Sequence, residues 1–313
     1  MERYLVTGGG GFIGSHLVEA LVAEGHFVRV VDNFETGTRQ NLKDIAREVE
    51  IIEASVQDPL AIQKAVEGID FVLHQAARDS VPRSISDPGG THESNLTGTL
   101  QVLRAAHKAG VKRVVFASSS SVYGETPTLP KEESMFPSPL SPYAVTKLAA
   151  EYYCSVYARA FGLETVVLRY FNIYGPRQNP NLQYAAVIPL FIRQMLEKEP
   201  CTIFGDGEQT RDFTYVGDCV RANLLACKAP NAAGEVINIA CGAQTSVNSL
   251  FELLAATTSC DRPPQYAPPR AGDVKHSYAA IAKAKTLLGY NPVMKLPAGL
   301  EKTVEWFQRN RHS

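Results

Sequence analysis

Residues 4–32 read YLVTGGGGFIGSHLVEALVAEGHFVRVVD. A short apolar run enters a glycine quartet, an amphipathic stretch follows as far as Gly25, and a second apolar run stops on an acid, Asp32. The glycines fit two registers, Gly8–Gly11–Gly14 and the G-x-G-x-x-G of Gly9, Gly11 and Gly14. Glycine is required where a turn takes positive φ, where backbone must approach a pyrophosphate, and where a helix packs closely on a strand. The helix that opens there presents free N–H groups and the positive end of its dipole to phosphates. Alone this spacing is weak. Here a strand precedes it, a helix follows, and a carboxylate stands about 20 residues on, where it can accept both hydroxyls of an adenosine ribose and repel a 2′-phosphate. Arg39 could hold such a phosphate, but Asp32 decides for NAD.

Working outward, the same rhythm continues. RYLV, FVRVV, VEII, DFVLH, RVVFAS and TVVLRY are predicted strands; HLVEALVAEG, PLAIQKAVEG, TGTLQVLRAAHKAG and YAVTKLAAEYYCSVYARAFG are predicted helices. Such alternation predicts an α/β fold, a Rossmann-type doubly wound parallel sheet covered on both faces. Gly25, Gly68, Gly110 and Gly162 stand where these helices should end. After residue 172 the rhythm breaks: GPRQNPNLQ is loop-like, PLFIRQMLEKEP is a helix bounded by prolines, and GEVINIA returns to the sheet. DRPPQYAPPRAGD is too proline-rich for a regular element, and LEKTVEWFQRNR closes the chain as a helix. The expected organisation is a nucleotide-binding domain of residues 1–171 and 212–242 with a smaller α/β substrate-binding domain of 172–211 and 243–313.

The chain has 313 residues, 45% of them hydrophobic and 20% charged, with a formal net charge of −1. Nothing in that balance points to nucleic acid or an anionic membrane, so an anionic ligand must be met by locally placed donors. No apolar run approaches the ~20 residues that span a bilayer, and MERYLVTGGG lacks signal-peptide anatomy. The six cysteines (154, 201, 219, 227, 241, 260) form no C-x-x-C and no zinc spacing with histidine. No metal site is expected; reduced thiols in a cytoplasmic protein are.

Tyr143 and Lys147 form Y-x-x-x-K at the start of the long helix. Residues four apart share a helix face, which brings an ammonium near a phenol. A free tyrosine, with a pKa near ~10, is no base at neutral pH; a neighbouring cation and an oxidised nicotinamide would lower it.

With these residues on the page, the chain resembles the extended short-chain dehydrogenase/reductases, and within them the nucleotide-sugar 4-epimerases. TGGGGFIGSH, DNFETGTRQNL, HQAA, NLTGT, SSSSVYG, SPYAVTK, LRYFNIYGPRQ, GDGEQTRDF and PRAGDV match that family in order over essentially the whole chain. The resemblance implies Tyr143 as the base, Lys147 as its partner, and Ser119 as the hydroxyl that shares the substrate proton. It implies NAD contacts from Gly8, Gly11, Phe12, Ile13, Gly14, Asp32, Asn33, Asp58, Asn95, Tyr143 and Lys147. It implies UDP-sugar contacts from Ser120, Ser121, Asn172, Gln178, Ala186, Arg211, Arg270, Asp273 and Ser277, with the two arginines on the diphosphate.

Related dehydratases and decarboxylases place an acid at one or both positions equivalent to Ser120 and Ser121, to eliminate water or steer loss of CO₂. Two serines imply oxidation at C4 and its reversal, an epimerisation. Ser277, seven residues beyond Arg270, stands at the family's substrate gate, where a small residue is associated with admitting N-acetylated sugars; a plain loop serine is the alternative. Gln178 and Ala186 resemble the branch that prefers UDP-N-acetylglucosamine and its galacto epimer, whereas Asp79 departs from it, since that branch usually has glycine there. UDP-glucuronate 4-epimerase is the rival reading and would need a cation such as Arg83 or Arg177 for the sugar carboxylate. A non-catalytic NAD-sensing protein would be expected to lack the tyrosine or the lysine. Family members pair through two helices, here those around 93–109 and 143–161, which implies a homodimer.

Overall fold

The computed structural model describes residues 1–181, 186–269 and 275–310. Its centre is a seven-stranded, all-parallel sheet. In chain order the strands are β1 (Arg3–Thr7), β2 (Phe27–Asp32), β3 (Val49–Glu53), β4 (Phe71–His74), β5 (Arg113–Ser119), β6 (Glu164–Tyr170) and a seventh, Val236–Ile239. Across the sheet the seventh strand is followed by β6, β5, β4, β1, β2 and β3. The direction of winding therefore reverses between β1 and β4, and ligands of open α/β sheets bind beyond the strand ends at such a reversal.

The helices are α1 (Phe12–Ala23), α2 (Pro59–Ala65), α3 (Val81–Ser86), α4 (Pro88–His92), α5 (Gly98–Lys108), α6 (Pro142–Ala160), α7 (Val187–Leu196), α8 (Val216–Lys228), α9 (Val247–Thr258), α10 (Ala282–Leu288) and α11 (Leu296–Arg309). Alternation along each strand sends side chains to opposite faces. Tyr4, Val6, Val28 and Val30 pack with Leu17, Val18 and Leu21 of α1 and with Cys219, Ala222 and Ala226 of α8. Leu5, Val31 and Val72 pack with Ile62 of α2, Val102 and Leu103 of α5, and Ala150 and Cys154 of α6. Local chemistry sets the helix limits. Ser141 accepts the Ala144 N–H and Pro142 occupies the first turn of α6. Gly25, Gly68, Gly110 and Gly162 all take positive φ, as expected of helix-terminating glycines.

A separate apolar cluster gathers Tyr174, Phe191, Met195, Leu250, Leu254, Leu300 and Phe307 from α7, α9 and α11. Three features depart from the sequence reading. Residues 216–228 form a helix that the sequence reading left inside the returning segment. Ala284, Leu288 and Tyr290, expected in the smaller domain, join the core of the sheet, and Asp218 of α8 accepts the N–H groups of Val293 and Met294 at 2.9 and 3.0 Å. Third, Gln265–Ala267 form a short strand paired in parallel with Thr202–Phe204 despite the surrounding prolines. Those prolines flank the three residues without interrupting them, so no ladder donor is lost.

Candidate active site

A cleft of about 1210 Å³ lies beyond the carboxyl ends of β1, β2, β4, β5 and β6. That exceeds the ~300–1,000 Å³ occupied by one drug-sized ligand and suits two large ligands side by side. Its floor is the glycine loop. Gly8 has φ +70, and a Cβ there would meet the Ala76 amide nitrogen at 2.7 Å; a Cβ on Gly14 would collide with the Gly8 carbonyl. Asp32 closes the end of β2, with one carboxylate oxygen accepting the Gly10 N–H at 2.8 Å and the other the Phe34 N–H at 2.7 Å. Burial raises its pKa, and these two donors oppose the rise. Arg39 is drawn away to Glu53 and stacks on Phe34, which leaves Asp32 in charge of that end. The tight glycine cradle, the carboxylate and the open N-terminus of α1 fit a dinucleotide.

Tyr143 and Lys147 project from the first turns of α6 into the same cleft. The Lys147 Nζ donates to the Ala117 carbonyl at 2.7 Å and lies 5.9 Å from the centre of the Tyr143 ring. Burial lowers the Lys147 pKa to about 8, partly countered by Asp79 and Glu151. Burial also pushes the Tyr143 phenol well above its ordinary range; a hydrogen bond with Ser119 pulls it down and Asp79 pushes it further up. Ser119 is the neighbour that draws the phenol down, and the Lys147 ammonium donates to the Ala117 carbonyl.

The serine run divides its labour. Ser118 is buried and bonds Glu151, which in turn takes a two-point ion pair from Arg169 at 2.7 and 3.0 Å. Ser119 caps the short turn 120–123 by accepting the Ser121 N–H at 3.2 Å and reaches Tyr143. Ser120 and Ser121 begin that turn just behind the cleft wall, and the Ser121 hydroxyl is buried without a partner among the described residues.

The structure brings Gly8, Gly11, Phe12, Ile13, Gly14, Asp32, Asn33, Tyr143, Lys147, Gln178 and Ala186 to the cleft wall. Other expected residues stand elsewhere. Asp58, expected at the adenine, caps α2 by accepting the Leu60 and Ala61 N–H groups; Ser55 and Val56 line the wall there. Asn95 is buried in a π-helical turn and holds both the N–H and the carbonyl of Arg78, so it shapes the loop 76–80 from behind. Asn172 has φ +37 and donates to the Asp212 carbonyl. Arg211 donates to the Thr210 and Lys275 carbonyls, and the Ser277 N–H donates to the Thr210 carbonyl, so Arg211 and Ser277 share one corner outside the wall. Arg270 and Asp273 lie outside the described residues.

Several wall residues escaped the sequence reading. Tyr170 and Gln75 form a hydrogen-bonded group with Asn223 of α8, and Trp306 and Asn310 arrive from the end of α11. Gln75 sits in the HQAA motif, which was its only local signal. Among the described residues no cluster of acids, histidines and cysteines could hold a metal, no helix is long and apolar enough to cross a membrane, and all six cysteines are free. A second depression, about 710 Å³, lies at the opposite end of the strands. Its cations are already paired, Lys112 with Asp70, Arg113 with Glu164 and Lys228 with Glu2.

A doubly wound sheet whose glycine loop, terminal aspartate and Tyr–Lys pair face one cleft defines a dinucleotide-binding protein of the Rossmann class. The chain belongs to the NAD dependent epimerase/dehydratase family, whose profile matches residues 4–240. It is 40% identical over 311 residues, 99% of either chain, to a protein of Methanocaldococcus jannaschii named putative UDP-glucose 4-epimerase. Among solved structures it resembles UDP-glucose 4-epimerase of Thermotoga maritima, crystallised with UDP-glucose, at TM-score 0.95 and 42% identity over 99% of this chain and 100% of the other. It is equally close in shape to UDP-N-acetylglucosamine 4-epimerase of Methanobrevibacter ruminantium in complex with UDP-N-acetylmuramic acid, at TM-score 0.95 and 39% identity over 99% of both chains.

Proposed function

We propose that this chain is an NAD-dependent isomerase that interconverts UDP-N-acetylglucosamine and UDP-N-acetylgalactosamine, and also UDP-glucose and UDP-galactose, through a transient 4-keto sugar. The observation that carries the reading is Tyr143 and Lys147 on the cleft wall with Ser119 hydrogen-bonded to the phenol, and with serines, and no acid, at positions 120 and 121. The glycine loop, Asp32, Asn33 and Lys147 would hold the cofactor. Bound there, NAD supplies a reversible hydride acceptor and, when oxidised, a positive ring that favours the phenolate.

The chain's own residues handle protons and orientation. Tyr143 takes the C4–OH proton, with Ser119 bonded to the phenol so that the proton is shared along a short path. Lys147, anchored on the Ala117 carbonyl, keeps a positive charge beside the tyrosinate. Once C4 is a ketone, nothing at 120 or 121 can expel water or direct loss of CO₂. The sugar turns its other face and is reduced again, and Tyr143 returns the proton. Gln178 and Ala186, both on the wall, support an N-acetylated sugar. The rival uronate substrate finds less support, because Arg83 is paired with Glu35 and Arg177 with Glu19.

The same reading makes the protein a homodimer. Along α6, Val145, Tyr152 and Val156 are 51%, 59% and 49% exposed, an apolar face suited to a second copy.

The test is proton NMR of the purified protein with UDP-N-acetylglucosamine, UDP-glucose or UDP-glucuronate, with and without added NAD. Galacto anomeric signals should appear fastest from the N-acetyl sugar and be absent with Tyr143→Phe. Turnover of UDP-glucuronate alone would move the reading to the uronate enzyme, and no turnover of any of the three would overturn it.

A further inference from the structure

The loop 76–80 enters the cleft between the glycine loop and α6, and Asp79 is its acidic member on the wall. Every other carboxylate on that wall is engaged. Asp32 takes two backbone N–H groups, Glu35 pairs with Arg78 and Arg83, and Asp87 pairs with Arg78 and caps α4. Asp79 has no ion pair and no hydrogen bond to another residue among the described residues. The cations nearby are equally committed: Arg83 and Arg78 to Glu35, Arg177 to Glu19, and Lys147 to the Ala117 carbonyl. Among the described residues of this wall, Asp79 is therefore the one charged group without a hydrogen bond or ion pair to a neighbour.

We propose that Asp79 is the charge filter of the sugar end: it accepts a hydrogen bond from a hydroxyl or amide N–H of a neutral sugar and turns away sugars that carry a carboxylate. The proposal rests on the UDP-sugar reading above. By exposed area Asp79 is open, because its carboxylate faces the cleft. Yet it lies deep enough for burial to be the largest influence on its pKa, which it raises. Both describe one geometry: protein surrounds the carboxylate, but solvent reaches it through the cleft, and a bound ligand would displace that water. At that moment a donor on the ligand replaces the lost water, whereas a second carboxylate meets an unscreened like charge. Asp79 acts on Tyr143 and Lys147 as well, which places its charge within electrostatic reach of the reacting end. Placing a bare acid beside tyrosine opposes phenolate formation, so its presence there calls for a ligand donor that partly neutralises it.

The experiment is calorimetric binding of UDP-glucose and UDP-glucuronate to the NAD-loaded full-length protein and to Asp79→Asn, with Asp79→Ala as a second variant should the first misfold. UDP-glucose should bind the native protein at least ~10-fold more tightly than the uronate, and the ratio should collapse by about that factor in either variant. Equal affinities in the native protein, or a ratio unmoved by both substitutions, overturns the proposal. A uniform change for both ligands, accompanied by a shift in the oxidised-to-reduced cofactor balance at 340 nm, also overturns it, by making Asp79 a counter-ion of the nicotinamide. Turnover is scored separately by NMR, so loss of the epimerase reading and loss of the filter give different results.

Discussion

Tyr143 and Lys147 start from opposite disadvantages. Burial holds the phenol protonated and would strip the ammonium of its proton near pH 8. In the proposed mechanism the pair works only while Lys147 is charged, which sets the sign of the pH effect: its ammonium persists below about pH 8 and is lost as pH rises through that value. We expect kcat/KM of the NAD-loaded protein to fall by about tenfold per pH unit above pH 8, measured by NMR turnover. A profile flat to pH 10 would mean that Lys147 contributes position and not charge. This residue scale is also where the sequence was most and least legible. Tyr143, Lys147 and Asp32 sit at fixed spacing within elements, so their placement follows from helix and strand geometry. Asp58 and Asn95 carry the right chemistry, but local backbone donors claim the one and the Arg78 peptide claims the other.

At the scale of elements, α6 and β6 are joined by the buried Glu151–Arg169 pair, each side chain 4% exposed. Glu151 lies two helical turns beyond Tyr143 on the same face, with Ser118 as a further partner, and the Arg169 guanidinium stacks 4.7 Å from the Tyr123 ring centre. Removing one member leaves a charge buried without its partner, a change that costs about 3–5 kcal/mol. Glu151→Gln should lose stability on that order in urea unfolding, whereas Glu151→Leu with Arg169→Met should recover most of it. If the single and double variants are equally stable, the pair is not what joins these elements. Neither partner could be matched from sequence alone: Glu151 reads as one more helix-surface acid and Arg169 as a strand arginine, and their meeting depends on how α6 crosses the sheet. The strands themselves were legible because buried parallel strands are almost purely apolar. Helix α8 was not, since its polar Asp218 and Asn223 interrupt the apolar pattern in order to bond other segments.

The whole molecule is one sheet with a second core beside it, and the two are bolted together across the mouth of the cleft. His16 donates to the Pro176 carbonyl at 3.0 Å, and Arg177 reaches Glu19 at 2.9 Å, both from the helix that follows the glycine loop. The exposed face of α6 belongs to this scale. Light scattering should show two copies per particle, and Val145→Glu with Val156→Glu should yield one copy that is still folded; a native protein that runs as a monomer would end the homodimer proposal. The sequence pointed to the two halves but not to their interlocking, because α10 and the segment at 293–294 are anchored by contacts far away in the chain.

The position of the last sheet strand also has a consequence for how the protein is made. Val236–Ile239 pairs with β6, and the buried guanidinium of Arg113 on β5, besides Glu164 of β6, donates to the carbonyls of Ala226 and Ala229. A ribosome adding about 5–20 residues per second delivers β6 several seconds before any of these partners exists. During that interval the nascent chain carries a six-strand sheet with a bare edge, and Arg113, already paired with Glu164 on that edge strand, still lacks its two carbonyl acceptors. The Arg113–Glu164 ion pair, set at the open edge, is a charged feature of the kind that discourages a neighbouring chain from pairing there before the protein's own strand arrives.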